Sequence, residues 1–274
     1  MKNIINLSNN LSLVELSANE NNTHITGSYN SKIAQTTYNL YNELFSLIKE
    51  HNLGTPTRIW NYVPHINDLC DAEISDIDRE RYRQFNKGRL DAFTQYAPRD
   101  TQGTIIRPAA TGVGSFEEEL KIYCLVTTDK TTNIENARQV SSYKYSQVYG
   151  SSTPSFSRGT ILRTKNSEIV FISGTASIIY SETMHIGDVV KQTEESINNI
   201  EYLISDENLR KYDTKGFSLN DITSLKVYVR NVSDYESVKK TIESRITKPV
   251  TTLYVKSDIC RKDLLVEIEG IASR

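Results

Sequence analysis

Hydrophobic residues in the first half of the chain recur at helical spacing in one segment and alternate in another. Between residues 31 and 50 they fall three or four positions apart, and Ser31 is suited to cap the first turn of a helix. This apolar stripe consists of Ile33, Leu40, Leu44, Leu47 and Ile48. Residues 58–63 alternate and residues 120–127 form a further apolar run, so both are predicted to be strands. The first 31 residues, rich in Asn and Ser, predict a short strand or two, or a partly ordered arm.

The second half of the chain alternates strands and helices regularly. Strands are expected at residues 160–163, 168–173, 222–229, 251–255 and 264–272, and helices at residues 187–205 and 234–244. Helices that alternate with strands in this way pack on one side of a sheet. The polar, proline-containing segment 151–156 separates the two halves. We therefore predict an α+β fold of mixed β-sheets with helices on one face, divided into domains at residues 1–152 and 153–274.

A helix predicted at residues 77–96 has an unusual face. The positions that share it are Tyr82, Phe85, Arg89, Phe93 and Tyr96. An arginine centred among aromatic rings is either stacked and paired within the core, or directed into a cavity that contains an anion. After this helix, the small residues of segment 107–114 predict a loop, which is a tight turn or a ligand contact. It lacks the Gly-Lys-Ser/Thr sequence of a nucleotide triphosphate site.

The predicted last strand carries two acids on one face. With a two-residue period, Val266 and Ile268 face one way, while Glu267 and Glu269 face the other. In one interpretation this is an edge strand with its acids in water. In the other, aliphatic surroundings raise the pKa of a carboxyl group, so that it holds a proton near neutral pH and can deliver it to a substrate.

Composition and charge exclude several classes of function. The chain has 274 residues, 38% hydrophobic and 24% charged, with a formal net charge of −2, which gives no reason to expect a nucleic acid or membrane partner. We see neither a membrane helix nor a secretory signal, and three scattered cysteines fit a reducing cytoplasm. The histidines are isolated, so no metal is expected, and no dinucleotide fingerprint is present. Arginines, tyrosines, acids and glycine loops remain, which suit a small dianionic substrate and no cofactor.

Six short motifs follow one another along the chain and carry a resemblance to a known family. They are Arg58-Ile59-Trp60-Asn61-Tyr62, Arg81-Tyr82-x-x-Phe85-Asn86-x-Gly88-Arg89, Pro108-Ala109-Ala110-Thr111-Gly112-Val113-Gly114, Ala137-Arg138-Gln139, Pro154-x-Phe156-x-Arg158 and Ser173-Gly174-Thr175-Ala176-Ser177. Together they resemble the chorismatases, a family of chorismate hydrolases and 3-hydroxybenzoate synthases. The resemblance spans about residues 56–272. It implies a RidA/YjgF-like (chorismate mutase-like) C-terminal domain and a related or degenerate N-terminal α+β domain.

The resemblance also implies an activity and residues for it. Family members remove the enolpyruvyl side chain of chorismate as pyruvate, without metal or organic cofactor. By position, Glu267 would be the acid that protonates the vinyl ether. Arg89 and Arg138 would hold the two carboxylates. Tyr82 and Tyr145 would donate hydroxyl groups, with Tyr143 as the alternative to Tyr145, and Arg158 is a further expected substrate contact.

The ring product is expected from two further positions. In this family, members that make 3-hydroxybenzoate tend to carry a glycine in the Ser-Gly-Thr-Ala segment and a cysteine seven residues before the catalytic glutamate. The chain has Gly174 and Cys260 at these positions, which favours 3-hydroxybenzoate over 3,4-dihydroxycyclohexa-1,5-dienoate. The alternative interpretation of Cys260 is an ordinary packing residue, because free cysteines are commonly inert.

Two alternatives remain open from the sequence. A RidA-type imine or enamine deaminase would carry an arginine where this chain has Thr251, so that hypothesis is weaker. A non-catalytic small-molecule-binding protein could keep the fold alone. The sequence permits a monomer or a homotrimer, and residues 1–55 contain no motif of the family.

Overall fold

The structure is a computed structural model that describes residues 1–27, 29–70 and 73–274. The chain forms two compact units, and each unit is built from three separate stretches of the chain. The first comprises residues 1–108, 114–129 and 142–156, and the second comprises residues 109–113, 130–141 and 157–274. The predicted domain boundary after residue 152 stays a prediction. No helix in the described ranges has the length and apolar character needed to cross a membrane.

The secondary structure has the following bounds. The strands are β1 (Lys2–Ser8), β2 (Leu11–Asn19), β3 (Thr55–Pro64), β4 (Ala109–Ser115), β5 (Glu119–Thr127), β6 (Lys130–Ile134), β7 (Gly159–Arg163), β8 (Glu168–Thr175), β9 (Ile178–Ile179), β10 (Glu182–Thr183), β11 (Ile222–Val229), β12 (Thr251–Lys256) and β13 (Val266–Ser273). The helices are α1 (Lys32–Glu50), α2 (Arg81–Tyr96), α3 (Val189–Ile204), α4 (Asp206–Leu209) and α5 (Tyr235–Arg245).

The first unit contains an antiparallel sheet and two packed helices. Its strands lie in the order β1-β2-β5-β3. Helix α1 begins as predicted, because the Ser31 hydroxyl accepts a hydrogen bond from the amide of Ala34 at 3.3 Å. Helices α1 and α2 approach closely at Gly88, where a Cβ atom would lie 2.1 Å from the Ala34 carbonyl oxygen. A glycine at this position therefore sets the spacing between the helices.

Helix α2 begins at Arg81, four residues later than the sequence pattern predicts. The preceding backbone is used for long-range pairing instead of a helical turn. The amide of Arg81 donates to the carbonyl of Asp68 at 2.9 Å, and the amide of Tyr82 donates to that of Ile66 at 3.0 Å. Glu80 is extended and forms an isolated bridge with Leu69. Tertiary pairing thus overrides local helical preference at this end.

The second unit is a mixed sheet with the strand order β12-β11-β13-β8-β7-β6. Strand β13 is antiparallel to both of its neighbours, while β11 and β12 are parallel. One face of the sheet packs against α3 and α5 around a core that includes Val266, Ile268, Ala272, Ile197 and Ile242. This confirms the predicted sheet with helices packed on one side.

The expectation of a loop at residues 107–114 is wrong, because residues 109–115 form strand β4. Side-chain hydroxyls satisfy part of its backbone: the amide of Ala109 donates to Thr160 Oγ1 at 2.8 Å, and that of Ala110 donates to Ser173 Oγ at 3.0 Å. Both alanines are buried. Small residues here reflect close packing of an extended segment, and not the freedom of a turn.

Strand β8 contains a bulge beside the acidic pair of β13. Ile268 lies opposite Thr175, and Gly270 lies opposite Ile172, so β8 has one residue more than β13 between these two pairs. The additional residue falls at Ser173 and Gly174. A bulge redirects the local backbone and is common beside active sites.

Candidate active site

The acids of β13 are buried inside the sheet of the second unit. Glu267 is 4% exposed and Glu269 is 6% exposed, while the alternate residues Val266 and Ile268 belong to the hydrophobic core. The predicted division of the strand into two faces is therefore confirmed. The interpretation of an edge strand with its acids in water is wrong, because β13 lies between β11 and β8.

Gly174 makes room for the carboxyl group of Glu267. A Cβ atom on residue 174 would lie 2.0 Å from Glu267 Oε1 and 3.0 Å from Thr111 Oγ1. The first distance is far shorter than a van der Waals contact, so any larger residue would displace the carboxyl group. The structure thus brings together two residues that the sequence pointed to separately.

Thr111 connects this glycine to the second acid. Its hydroxyl accepts a hydrogen bond from the amide of Gly174 at 3.0 Å and donates one to Glu269 Oε2. The sequence pattern does not single out Thr111, because it predicts a loop for the segment that contains this residue. Thr111 is buried, with 2% of the residue exposed.

Strand β11 places two further side chains beside the acids. Tyr228 lies directly opposite Glu267, and Lys226 lies directly opposite Glu269. Tyr228 is fully buried, and the Lys226 ammonium lies 5.7 Å from the centre of its ring. Both residues were missed. The signal was available, because polar residues at 224, 226 and 228 alternate with the apolar residues of the predicted strand.

The other predicted residues of the second unit have identifiable contacts. Arg138 Nη2 lies 2.5 Å from Glu195 Oε1, and His185 approaches the other oxygen of Glu195 at 3.8 Å. Arg158 is buried and donates to the carbonyl of Val140 at 2.8 Å. Cys260 is half-buried and lies in the loop between β12 and β13. Arg138 therefore already forms an ion pair with the carboxylate of Glu195 in this structure.

In the first unit, Arg89 is a buried cation. It is 2% exposed, its Nη2 donates to Asn86 Oδ1 at 2.8 Å, and its guanidinium carbon lies 4.9 Å from the Phe85 ring centre and 5.9 Å from that of Phe156. Its Nε has no hydrogen-bond partner, and no carboxylate pairs with it among the described residues. The arginine is stacked on rings, as the first interpretation expects, but in the part of the chain that the structure describes it is not paired with a carboxylate. The second interpretation, a cavity that contains an anion, stays a prediction.

Tyr41 is a neighbour of Arg89 that the sequence did not single out. Burial raises the pKa of Tyr41 to about 12, and the guanidinium group of Arg89 acts in the opposite direction. The tyrosine hydroxyl donates to Asn61 Oδ1 at 2.6 Å. Arg89 therefore has polar groups, but no anion, around it in the described part of the first unit.

The predicted tyrosines of the first unit lie in separate aromatic contacts. Tyr82 stacks on Phe85, with ring centres 6.3 Å apart and planes inclined by 19°. Tyr145 lies 5.7 Å from Tyr149, between ring centres. The alternative, Tyr143, has the guanidinium group of Arg107 4.7 Å above its ring. Among the described residues, no group of three or more His, Cys, Asp or Glu side chains is arranged as metal ligands.

Comparison with known proteins identifies the family. The family described as "Chorismatase FkbO/Hyg5-like, N-terminal" matches residues 10–126, and "Endoribonuclease L-PSP" matches residues 152–274. A 3-hydroxybenzoate synthase of Streptomyces hygroscopicus is 36% identical over 252 residues, covering 90% of this chain and 70% of the relative. The chain belongs to the chorismatase family. A chorismatase of Streptomyces rapamycinicus is 35% identical over 248 residues, covering 88% of this chain and 71% of the relative.

A solved chorismatase structure agrees with this assignment. It superposes with a TM-score of 0.82 at 32% sequence identity, covering 97% of this chain and 75% of the other. The match to the L-PSP family falls on the part of the chain for which a RidA/YjgF-like domain was expected, and that expectation is confirmed. The family thus supports an enzyme. The roles of individual chorismatase residues stay predictions that the geometry above makes specific.

Proposed function

We propose that this chorismatase removes the enolpyruvyl side chain of chorismate as pyruvate and releases the ring as 3-hydroxybenzoate. The observation that carries the proposal is the position of Glu267, whose carboxyl group is buried between strands over Gly174. A buried carboxyl group away from water favours its protonated form, which is the form that an acid catalyst needs. The names of two relatives, 3-hydroxybenzoate synthase and chorismatase, support the same reaction.

The chemistry requires an acid before anything else. An enol ether resists hydrolysis until its methylene carbon is protonated, and Glu267 would supply that proton. The resulting oxocarbenium-like carbon is then attacked by water or by a hydroxyl group of the substrate itself. After attack by water, breaking of the ether bond releases pyruvate and the dihydroxy diene. After attack by the substrate's own hydroxyl group, both the ether bond and the bond from the ring carbon to the attacking oxygen break, so that this oxygen leaves as the keto oxygen of pyruvate. The ring keeps the former ether oxygen and becomes aromatic as the hydrogen on the carbon that bears it moves to that oxygen, while the proton lost by the attacking group restores the acid. Chorismate equals pyruvate plus 3-hydroxybenzoate in composition, whereas the dihydroxy diene product requires one added water.

Recognition of a dianionic substrate requires cations that are not already neutralised. Arg89 meets this requirement in the first unit, because a buried guanidinium group without a carboxylate is costly and an anionic ligand would compensate it. Arg138 is a candidate for the second carboxylate, but Glu195 must release or share it. Tyr82 and Tyr145 are proposed hydroxyl donors, and Arg158 is a proposed further contact.

The ring product depends on the surroundings of the substrate. Gly174 and Cys260 match the pattern that the family resemblance associates with 3-hydroxybenzoate. Gly174 also has a structural reason to be a glycine, since it accommodates Glu267. The alternative of a RidA-type deaminase finds no support here, because Thr251 lies exposed at the start of β12, where that activity would need a carboxylate-binding arginine.

The direct test is to incubate the purified protein with chorismate and separate the products by chromatography. Equal amounts of pyruvate and 3-hydroxybenzoate are expected. Pyruvate with the dihydroxy diene would retain the chorismatase assignment and overturn the proposed product. Tight binding without pyruvate would indicate a non-catalytic protein. Hydrolysis of 2-aminoacrylate, with no action on chorismate, would instead indicate a deaminase.

A further inference from the structure

Helix α2 buries two polar side chains that contact each other. Asn86 is 3% exposed and Arg89 is 2% exposed, and Asn86 Oδ1 accepts a hydrogen bond from Arg89 Nη2 at 2.8 Å. The two residues are three positions apart, which places their side chains on the same side of a helix. The position of the Arg89 guanidinium group is therefore fixed in part by α2 itself.

The acceptor that Asn86 offers is neutral. An amide oxygen accepts a hydrogen bond without a negative charge, whereas a carboxylate would accept the bond and also offset the charge of the arginine. The nearest acid along α2 is Asp91, two positions from Arg89, where side chains do not face each other. Its carboxylate accepts the hydroxyl of Tyr29 at 2.9 Å and lies 3.7 Å from the Lys87 ammonium. Asn86 thus orients Arg89 without neutralising it.

The other groups that the structure places around Arg89 are uncharged as well. The rings of Phe85 and Phe156 lie 4.9 Å and 5.9 Å from its guanidinium carbon, and ring faces attract a cation without cancelling its charge. Burial raises the pKa of the Tyr41 phenol to about 12, so this neighbour is neutral at ordinary pH. The buried Nε of Arg89 has no hydrogen-bond partner among the described residues. A buried cation with an unused donor favours the binding of an anion.

Arg138, the other arginine proposed to hold a carboxylate, has the opposite kind of partner. Its Nη2 lies 2.5 Å from Glu195 Oε1, so a negative charge already faces its guanidinium group. The two arginines therefore differ in the charge of the side chain that holds them. At Arg89 this difference comes from one residue, because an aspartate in place of Asn86 would keep the acceptor and add the charge.

We propose that Asn86 is a positioning residue: its neutral amide oxygen orients the Arg89 guanidinium group and leaves the positive charge available for a carboxylate of the substrate. The role in substrate binding rests on the proposed function. The charge balance at Arg89 does not, because it can be measured from the stability of the protein without substrate. Asn86 acts through Arg89, which remains the group that contacts the carboxylate.

The test is Asn86→Asp, which keeps the size of the side chain and adds a negative charge beside Arg89. A buried cation that gains a counter-charge should not become less stable, so the thermal midpoint should equal or exceed that of the wild type. The added carboxylate competes with the substrate for Arg89, so the dissociation constant for chorismate should rise at least about tenfold. In assays of pyruvate release, the loss should fall mainly on KM and not on kcat.

Asn39→Asp is the matched control for the added charge. Asn39 is exposed on α1, and its Oδ1 accepts a hydrogen bond from Gln35 at 2.9 Å, so the substitution again keeps an acceptor. It should leave both the thermal midpoint and the affinity for chorismate as they are in the wild type.

Asn86→Ala separates this role from a purely structural one. It removes the acceptor and leaves Arg89 buried without a counter-charge, so it should lower the thermal midpoint. It should also weaken chorismate binding, but by less than Asn86→Asp does, because the positive charge is kept. Asn86→Asp should thus be the more stable and the weaker binding of the two variants. If Asn86 served only packing, affinity would follow stability, and the opposite order of affinities would be found.

An Asn86→Asp protein that binds chorismate as tightly as the wild type would overturn the inference. If that variant does not fold, Asn86→Ala decides, and an unchanged affinity in it would overturn the inference equally. A wild type that neither binds chorismate nor releases pyruvate, with Asn86→Asp at least as stable as the wild type, would refute the proposed function. The charge balance at Arg89 would stand in that case.

Discussion

Glu267 and Gly174 face each other across β13 and β8, and the carboxyl oxygen of the glutamate lies 2.0 Å from the point that a Cβ atom of residue 174 would occupy. The carboxyl group of the proposed acid therefore occupies the space that a side chain at residue 174 would fill. Because the backbone of Gly174 needs no positive φ, the constraint is steric and not conformational. A substitution of Gly174 should therefore reduce catalytic activity more than it reduces the stability of the fold.

Gly174→Ala should reduce turnover at least about tenfold while changing the free energy of unfolding by less than about 2 kcal/mol. The atom in the way is the end of a flexible side chain, so the carboxyl group should move while the strands stay paired. Rates of pyruvate release and urea unfolding curves measure the two effects. Gly103→Ala is the control for activity: it displaces no atom within 4 Å, so turnover should be kept, although alanine at a φ of +79° should cost some stability. Full activity in Gly174→Ala would mean that the position of the carboxyl group is not critical.

Arg89→Met should weaken chorismate binding by about 2–3 kcal/mol, the value of a lost charge-assisted hydrogen-bond pair. Methionine keeps much of the packing against Phe85, and it removes a buried charge without a carboxylate partner, so stability should be unchanged or increased. Arg89→Ala should lose the same affinity together with some stability. Calorimetric binding and thermal unfolding separate the two. Unchanged affinity in Arg89→Met would assign Arg89 to the core alone.

Because Tyr41 is buried, we expect the protein to lose stability at high pH. Its pKa is raised to about 12 in the folded protein by burial, against an ordinary value near 10. The folded state thus holds this proton more tightly than the unfolded state, and the corresponding stability is complete below pH 10 and lost as pH rises toward 12. Urea unfolding at pH 8 and pH 11 should show a smaller decline in Tyr41→Phe than in the wild type. An equal decline would mean that other groups control alkaline unfolding.

The sequence predicted those parts of the fold that follow strict periodicity. Strand β13 and its two faces could be predicted, because hydrophobic and acidic residues alternate without interruption. Strand β4 could not be predicted in this way. Two of its backbone amides donate hydrogen bonds to the side chains of Thr160 and Ser173, which lie about fifty and sixty residues away along the chain. The start of α2 was misplaced for the same reason, since pairing with a distant segment replaced its first turn.

The candidate site was predicted where a single residue stands out against its pattern. Arg89 interrupts an aromatic helical face, and Glu267 interrupts an aliphatic strand. Thr111 does not stand out against the sequence pattern around it. Its hydrogen bonds connect β4 with β8 and β13, which meet only in the folded chain. Lys226 and Tyr228 were detectable in principle, but pairing them with the acids requires the register between β11 and β13.

The most direct test of the account compares pyruvate release by the wild type and by Glu267→Gln, with chorismate binding measured in both. Glutamine keeps the size of the side chain but cannot deliver a proton to carbon. We expect binding within about threefold of the wild type and a rate of pyruvate release lower by at least about a hundredfold. A Glu267→Gln protein that releases pyruvate at nearly the wild-type rate would contradict the central claim that this buried carboxyl group is the acid.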